Sequence, residues 1–174
     1  MEIRLASVND ILTIQHIASL TWPIAYADIL SPGQLSYMLN SMYNFYSLQK
    51  QMLDEGHLFF LCYDNKKPIG FAGISKVDYS LKNNTSNNNI WKLHKLYVLP
   101  EAQKTGAGKL LMEACLQTIA DNNCEFLILN VNRKNAAYHF YLKKGFEVLE
   151  EIDLDIGAGF FMVDYIMGKA LSKS

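Results

Sequence analysis

The fold is decided by the stretch Val98-Leu99-Pro100-Glu101-Ala102-Gln103-Lys104-Thr105-Gly106-Ala107-Gly108-Lys109. A buried-strand pattern over Ile90 to Leu99 leads into it, and an amphipathic helix predicted over Gly106 to Asp121 leaves it. Glycines at such a junction let backbone N–H groups point into one concavity, and the helix start adds unpaired N–H groups and the positive end of its dipole. The stretch therefore predicts an anion site suited to a diphosphate, with Lys104 and Lys109 adding positive charge nearby.

Two well-known glycine-rich phosphate motifs do not fit this loop. A Walker loop needs Gly-Lys followed by Ser or Thr, but Gly108-Lys109 is followed by Leu110. A dinucleotide fingerprint needs a third glycine where Leu111 stands. On the glycines alone, a loop that does no more than begin a helix stays open as the alternative.

Working outward, strands and helices alternate along the chain. Helices are expected from Ser7 to about Leu20, with Pro23 as an interruption, then from Ser31-Pro32, and around Leu48 to Leu53. A hairpin, a polar loop and further elements follow, with strands expected at 58–63, 69–74, 90–99, 126–129, 146–154 and 160–167 and helices at 106–121 and 135–144. The polar loop covers residues 83–89. This order predicts one α/β domain over residues 1–174, with helices packed on a mixed sheet.

Composition excludes several classes of protein. The chain has 174 residues and a formal net charge of −1, so no basic field favours nucleic acid or anionic lipid. No apolar run approaches the roughly 20 residues that span a bilayer, and no secretory signal is evident. The three cysteines are scattered without metal-ligand spacing, so we expect reduced thiols, no metal and a cytoplasmic location.

The loop resembles the acetyl-CoA motif of the GNAT acetyltransferase superfamily, Gln/Arg-x-x-Gly-x-Gly/Ala, through Gln103, Gly106 and Gly108. The preceding Leu96-Tyr97-Val98-Leu99-Pro100 looks like that family's strand into the loop. The resemblance implies acetyl-CoA as cofactor and a mostly antiparallel sheet of about six to seven strands flanked by about four to five helices. The cofactor contacts that it implies are Leu96, Tyr97, Val98, Gln103, Lys104, Thr105, Gly106, Ala107, Gly108, Lys109 and Asn135.

A second stretch, Asn135 to Phe146, resembles the superfamily's other signature, Asn-x-x-Ala-x-x-Phe-Tyr-x-x-x-Gly-Phe, with the asparagine one residue nearer the tyrosine. Tyr141 falls where the family's phenol protonates the departing thiolate. A thiolate of pKa about 8.5 leaves more easily beside a phenol of pKa about 10. The alternative for Tyr141 is a structural core tyrosine.

His94 is the candidate base on the amine side. An alkylamine is mostly protonated at neutral pH, so transfer needs a proton acceptor. The alternation of a strand places His94 on the same face as Leu96 and Val98. His94-Lys95-Leu96-Tyr97-Val98 also looks like the aralkylamine branch of the family, where a histidine serves as base. A structural histidine with water as the acceptor stays open.

The remaining candidates concern the acceptor. Two segments, 22–32 and 155–165, resemble bacterial polyamine acetyltransferases and fall where GNAT enzymes form the acceptor pocket. An alkylammonium chain could stack on aromatic rings and be neutralised by acids, although such groups more often pack a core or face solvent. The aromatic candidates are Trp22, Tyr26 and Phe161, and the acidic candidates are Asp28, Asp155 and Asp164.

The resemblance thus implies an N-acetyltransferase for a small-molecule primary amine, with a polyamine-like compound as the first expectation. Because neither motif contains a cysteine, we expect direct transfer in a ternary complex, with backbone N–H groups of 96–98 polarising the thioester carbonyl. A protein N-terminal or lysine acetyltransferase, or a non-catalytic acyl-CoA sensor, are the alternatives. The resemblance also admits a homodimer.

Overall fold

The computed structural model describes residues 1–79 and 89–171, so most of the polar loop expected at 83–89 lies outside the described residues. The helices are α1 (Ile11–Ala25), α2 (Pro32–Tyr43), α3 (Phe45–Leu53), α4 (Ala107–Asp121) and α5 (Ala137–Lys143). The strands are β1 (Glu2–Leu5), β2 (Leu58–Asp64), β3 (Lys67–Lys76), β4 (Ile90–Val98), β5 (Phe126–Asn132), β6 (Glu147–Gly157) and β7 (Phe160–Ala170).

The seven strands form one sheet in the order β1-β2-β3-β4-β5-β7-β6. Neighbouring strands are antiparallel except for β4 and β5, which are parallel, so the expected mixed and mostly antiparallel sheet is confirmed. The β4–β5 pairing covers only Ile90 to Leu93 against Phe126 to Leu129. Beyond it the two strands part, which leaves residues 94–98 of β4 without a β5 partner and opens a gap in the sheet.

A β-bulge on β4 reverses the side on which His94 was expected. Leu93 pairs with Ile74 and Lys95 pairs with Gly73, so His94 is the extra residue between them. Leu93 and Leu96 consequently pack into the same core. The prediction that His94 shares the face of Leu96 and Val98 is therefore wrong, because the bulge breaks the strict alternation of the strand.

Helices cover both faces of the sheet. Helix α4 packs on one face over a core that includes Leu111, Cys115 and Ile119. Helices α1 to α3 pack on the other face over a second core around Trp22 and Phe71. The gap where β4 and β5 part lies between these two layers of helices.

Local capping explains where the first helices begin. Ser7 and Asp10 form the predicted capping box, and the Ser31 side chain accepts a hydrogen bond from the Gln34 N–H at the start of α2. The predicted interruption at Pro23 is wrong, because α1 continues through it to Ala25. Pro23 lies on the exposed side, as does Ser19, so the carbonyl that loses its helical partner can bind water.

Candidate active site

Three adjoining cavities run from the glycine loop through the gap in the sheet. The loop groove, about 540 Å³, lies between the end of β4, Gln103, the end of α1 and the start of α5. The strand gap, about 420 Å³, lies between the parted strands. The Asp164 cavity, about 520 Å³, lies beneath α1 and α2.

The cavities share walls and form one path. Leu96, Tyr97 and Asn135 line both the loop groove and the strand gap. Tyr26, His94, Tyr97 and Asn130 line both the strand gap and the Asp164 cavity. A molecule in the loop groove and another in the Asp164 cavity would therefore meet in the strand gap.

The glycine loop presents backbone N–H groups to solvent. Gly106 is the N-cap of α4 with φ of 99°, a left-handed conformation that favours glycine, and no side chain caps the helix. The first turn of α4 thus keeps N–H groups without helical partners. Lys104 is also left-handed, with φ of 65°, and the Thr105 hydroxyl donates to the Ala102 carbonyl at 2.7 Å, which braces the loop. This arrangement is compatible with the anion site predicted from the sequence.

The predicted cofactor residues differ in whether their side chains line the loop groove, are buried or are exposed. Those that line the loop groove are Leu96, Tyr97, Val98, Gln103 and Asn135. Ala107 is buried against the core, so it can offer only its backbone N–H to a ligand. Lys109 is exposed, and its ammonium lies 3.6 Å from the Glu113 carboxylate. A Cβ added to Gly108 would lie 3.7 Å from the Val98 side chain.

Two backbone N–H groups of β4 face the edge at which β5 parts from it. The Leu99 N–H donates to the Ile69 carbonyl, on the β3 side. Because successive N–H groups of a strand point to opposite edges, those of Leu96 and Val98 face β5. Since β5 pairs no further than Leu129, both groups are available to a carbonyl oxygen bound in the gap.

Tyr141 projects from α5 into the strand gap. Its ring lies 5.7 Å, centroid to centroid, from Phe146 in an edge-on contact. Burial raises the pKa of its phenol well above the ordinary value, so the phenol is protonated and can donate a hydrogen bond. Asn135 precedes this helix, and its side-chain oxygen accepts the Ala137 N–H at 2.9 Å.

His94 borders both the strand gap and the Asp164 cavity. Its Nε2 shares a 2.8 Å hydrogen bond with the Ser75 hydroxyl, and its ring stacks on His57 with centroids 4.2 Å apart. Burial foremost, then the charges of His57 and Lys95, lower the pKa of His94 to about 2. The imidazole is therefore neutral near pH 7, and so low a pKa makes it a weak proton acceptor.

Lys95 is a buried cation next to His94 in the chain, and it was not among the site residues predicted from the sequence. Its ammonium donates to the Gln51 side-chain oxygen at 2.6 Å and lies 5.6 Å from the Tyr43 ring and 5.2 Å from the Phe59 ring. Burial lowers its pKa to about 8. Because its charge lowers the pKa of His57 as well as that of His94, it helps to keep both imidazoles neutral.

The Asp164 cavity contains half of the predicted acceptor residues. Trp22, Tyr26 and Asp164 line it. The Trp22 ring lies 4.8 Å from that of Tyr26, and the Tyr26 hydroxyl is 3.2 Å from that of Tyr97. Asp164 is 3% exposed, and burial raises the pKa of its carboxyl, while a hydrogen bond from Asn130 opposes that shift.

Asp28, Asp155 and Phe161 are exposed and lie outside the lining of the cavity. Asp155 is engaged instead in the turn that ends β6, where its carboxylate accepts the Gly157 N–H at 2.8 Å. Phe161 alternates with Phe160 and Met162 on β7, and its side chain is 49% exposed. A position within the segments 22–32 or 155–165 therefore does not by itself determine whether a side chain points into the cavity.

Asn130 and Asn132 also line the Asp164 cavity, although neither was predicted as a site residue from the sequence. The expected strand ended at Leu129, but β5 continues to Asn132, with the buried Val131 between the two asparagines. Polar residues alternating with an apolar one are the signal that could have identified this wall.

Two further observations concern metals and membranes. In the described part of the chain, no group of three or more His, Cys, Asp or Glu side chains is arranged to hold a metal ion. None of the described helices is long and apolar enough to cross a membrane.

Comparison with known proteins agrees with this geometry. The model of the acetyltransferase (GNAT) domain matches residues 27–167. The spermidine N(1)-acetyltransferase of Thermoplasma acidophilum is 26% identical over 93% of this chain and 95% of its own, and an uncharacterised N-acetyltransferase of Mycobacterium tuberculosis is 26% identical over 94% and 99%.

Solved structures give the same picture. The PaiA N-acetyltransferase of T. acidophilum in complex with coenzyme A superposes with a TM-score of 0.79 at 25% identity, covering 98% of both chains. The ribosomal-protein-S18-alanine N-acetyltransferase of Escherichia coli has a TM-score of 0.71 at 19% identity, covering 99% of this chain and 95% of its own, a likeness of fold.

Proposed function

This chain belongs to the GNAT family of acetyltransferases, and we propose that it moves an acetyl group from acetyl-CoA to the primary amine of a small molecule. It is an N-acetyltransferase that uses acetyl-CoA. The proposal of a small-molecule acceptor is supported chiefly by the continuous path from the loop groove through the strand gap to the Asp164 cavity. Such a path lets donor and acceptor meet directly, which favours transfer in a ternary complex.

The residues of the loop groove fit the cofactor. The exposed N–H groups around Gly106 suit a pyrophosphate, and the Leu96–Val98 edge of β4 suits an amide-containing arm that pairs like a strand. When bound, acetyl-CoA supplies the activated acetyl group as a thioester. The Leu96 and Val98 N–H groups are proposed to polarise the carbonyl of that thioester.

Tyr141 is proposed to stabilise the leaving thiolate. Its position in the strand gap and its protonated phenol support this role. His94 borders both the strand gap and the Asp164 cavity and is retained as a candidate for taking the proton of the amine, although its low pKa makes it a weak base. Water in the gap or the carboxylate of Asp164 are the competing acceptors.

The acceptor is proposed to be a compact amine. A polyamine-like compound was the first expectation, and the spermidine acetyltransferase of T. acidophilum, at 26% identity, supports testing that class first. An acetyltransferase acting on proteins and a non-catalytic acyl-CoA sensor remain the alternatives. A cytoplasmic location and a homodimer stay predictions.

The proposal is tested by incubating the full chain with acetyl-CoA and a panel of primary amines. We expect release of free CoA that depends on the amine, together with an N-acetylated product detected by mass spectrometry. CoA binding by calorimetry with no acetylated amine in the panel would contradict the small-molecule proposal and favour the sensor. Acetylation confined to peptide N-termini or lysines would favour the protein alternative.

A further inference from the structure

The charges around the Asp164 cavity restrict the kind of amine that can enter it. Among the described residues, Asp164 is the one carboxylate that lines this cavity. The other polar groups of its walls carry no charge: they are the amides of Gln34, Asn130 and Asn132, the hydroxyls of Tyr26 and Tyr97, and His94, which burial keeps neutral. The cavity therefore offers a positive charge one strong partner.

Asp164 has no cationic partner of its own in the described part of the chain. Among the described residues, its side chain accepts one hydrogen bond, from the Asn130 amide at 3.4 Å, and makes no ion pair. Lys92 and Arg133 act on it only at longer range, and Arg133 is already paired with Glu151 and Asp153. A carboxylate that is 3% exposed and unpaired is poorly solvated, so an ammonium beside it would be strongly favoured.

The bound ammonium would lie close to the reaction centre. Asn130, which donates to Asp164, also lines the strand gap together with Tyr141 and Leu96. A nitrogen held at the Asp164–Asn130 pair is thus at the border between the cavity and the gap. The nitrogen that is recognised can therefore be the nitrogen that is acetylated once its proton has passed to His94, to water in the gap or to the Asp164 carboxylate, because only the neutral amine can attack the thioester carbonyl and release CoA.

The rest of the cavity suits an apolar body. The Trp22 and Tyr97 rings lie 5.9 Å apart, and three methionines, Met38, Met42 and Met162, complete the walls. Methionine side chains adapt to apolar groups of varied shape. A second ammonium on the same molecule would lie among these groups without a second carboxylate, which is unfavourable.

We infer that the acceptor is a primary monoamine with an apolar body, held through its single ammonium by Asp164, and that the cavity discriminates against diamines and polyamines. This inference rests on the proposed function and narrows its acceptor from amines in general to one charge class. It replaces the polyamine-like first expectation with a testable alternative.

Two acceptors that differ by one charge test the inference. Hexylamine and hexamethylenediamine have the same six-carbon chain and differ in the second amine, so their kcat/KM values are compared with acetyl-CoA saturating, with spermidine as a third acceptor. We expect hexylamine to exceed both by at least about tenfold. A diamine or spermidine that is preferred by about tenfold overturns the inference and leaves the proposed acetyl transfer intact, whereas no acetylated amine overturns both.

The role of Asp164 is tested with Asp164→Asn, which keeps the shape of the side chain and removes the charge. We expect kcat/KM for hexylamine to fall at least about tenfold, mainly through KM, with unchanged CoA affinity by calorimetry showing that the variant is folded. Asp121→Asn, an exposed acid at the end of α4, is the matched control and should keep full activity. An Asp164→Asn enzyme that binds CoA and acetylates hexylamine as well as the wild type would overturn the inference.

Discussion

Replacing Tyr141 by phenylalanine removes one oxygen from the strand gap and leaves the ring contact with Phe146 in place. The expected size of the effect follows from the buried phenol. Since burial raises the pKa of Tyr141 above about 10, while a thiol has a pKa of about 8.5, complete proton transfer to the thiolate would be uphill by at least about 2 kcal/mol. Tyr141 should therefore act mainly by donating a hydrogen bond to the developing negative charge.

A hydrogen bond to a charged group contributes about 1.5–3 kcal/mol, so Tyr141→Phe should lower kcat about tenfold to hundredfold. The assay is the initial rate of CoA release at saturating acetyl-CoA and amine, with CoA affinity measured separately by calorimetry and expected to stay the same. Tyr138→Phe is a matched control, because Tyr138 lies on the same helix but its ring packs at a tilt against that of Tyr165, with centroids 5.1 Å apart. A Tyr141→Phe kcat within about twofold of the wild type, or an equal loss in Tyr138→Phe, would refute the reasoning.

Three further predictions follow from neighbouring groups. Gly106→Val should weaken CoA binding, measured by calorimetry, at least about tenfold, because it places a branched side chain at a left-handed N-cap. Gly56 is also left-handed and has open space around it, so Gly56→Val should bind CoA normally. Equal losses of affinity in the two variants would contradict the loop assignment. His94→Asn should reduce kcat/KM by the same factor throughout about pH 6 to 8, because a pKa of about 2 keeps His94 neutral there; a factor that shrinks as the pH falls through about 6.5 would contradict this. Lys95 has its pKa lowered from 10.5 to about 8, so its buried charge destabilises the fold below about pH 8 and ceases to do so above about pH 10.5. Over that window the wild type should gain up to about 3 kcal/mol in urea unfolding relative to Lys95→Met, and parallel pH profiles would contradict it.

The parts of the fold that depend on local signals could be predicted from the sequence. The capping box at Ser7, the N-cap at Ser31 and the loop-to-helix junction at Gly106 each act within about one helical turn. The strand order needed more than local pattern, and the resemblance supplied the mostly antiparallel sheet. The predicted interruption at Pro23 was wrong because a helix can continue through a proline on its solvent-exposed side, and the sequence alone does not show which side of α1 faces solvent.

The site was less predictable, because its geometry is set by distant partners. The direction of His94 depends on a bulge that exists only relative to the register with β3. Asp164 is buried whereas Asp28 and Asp155 are exposed, and this difference depends on packing by distant parts of the chain. Asn130 lines the site because β5 continues past the point where it leaves β4.

The central claim is that donor and acceptor meet directly where β4 and β5 part. Initial rates measured while acetyl-CoA and hexylamine are varied together test it most directly. We predict double-reciprocal plots that intersect, with N-acetylhexylamine as the product, because both molecules must be bound at once. Parallel lines, which indicate an acetylated enzyme intermediate, would contradict direct transfer through the gap.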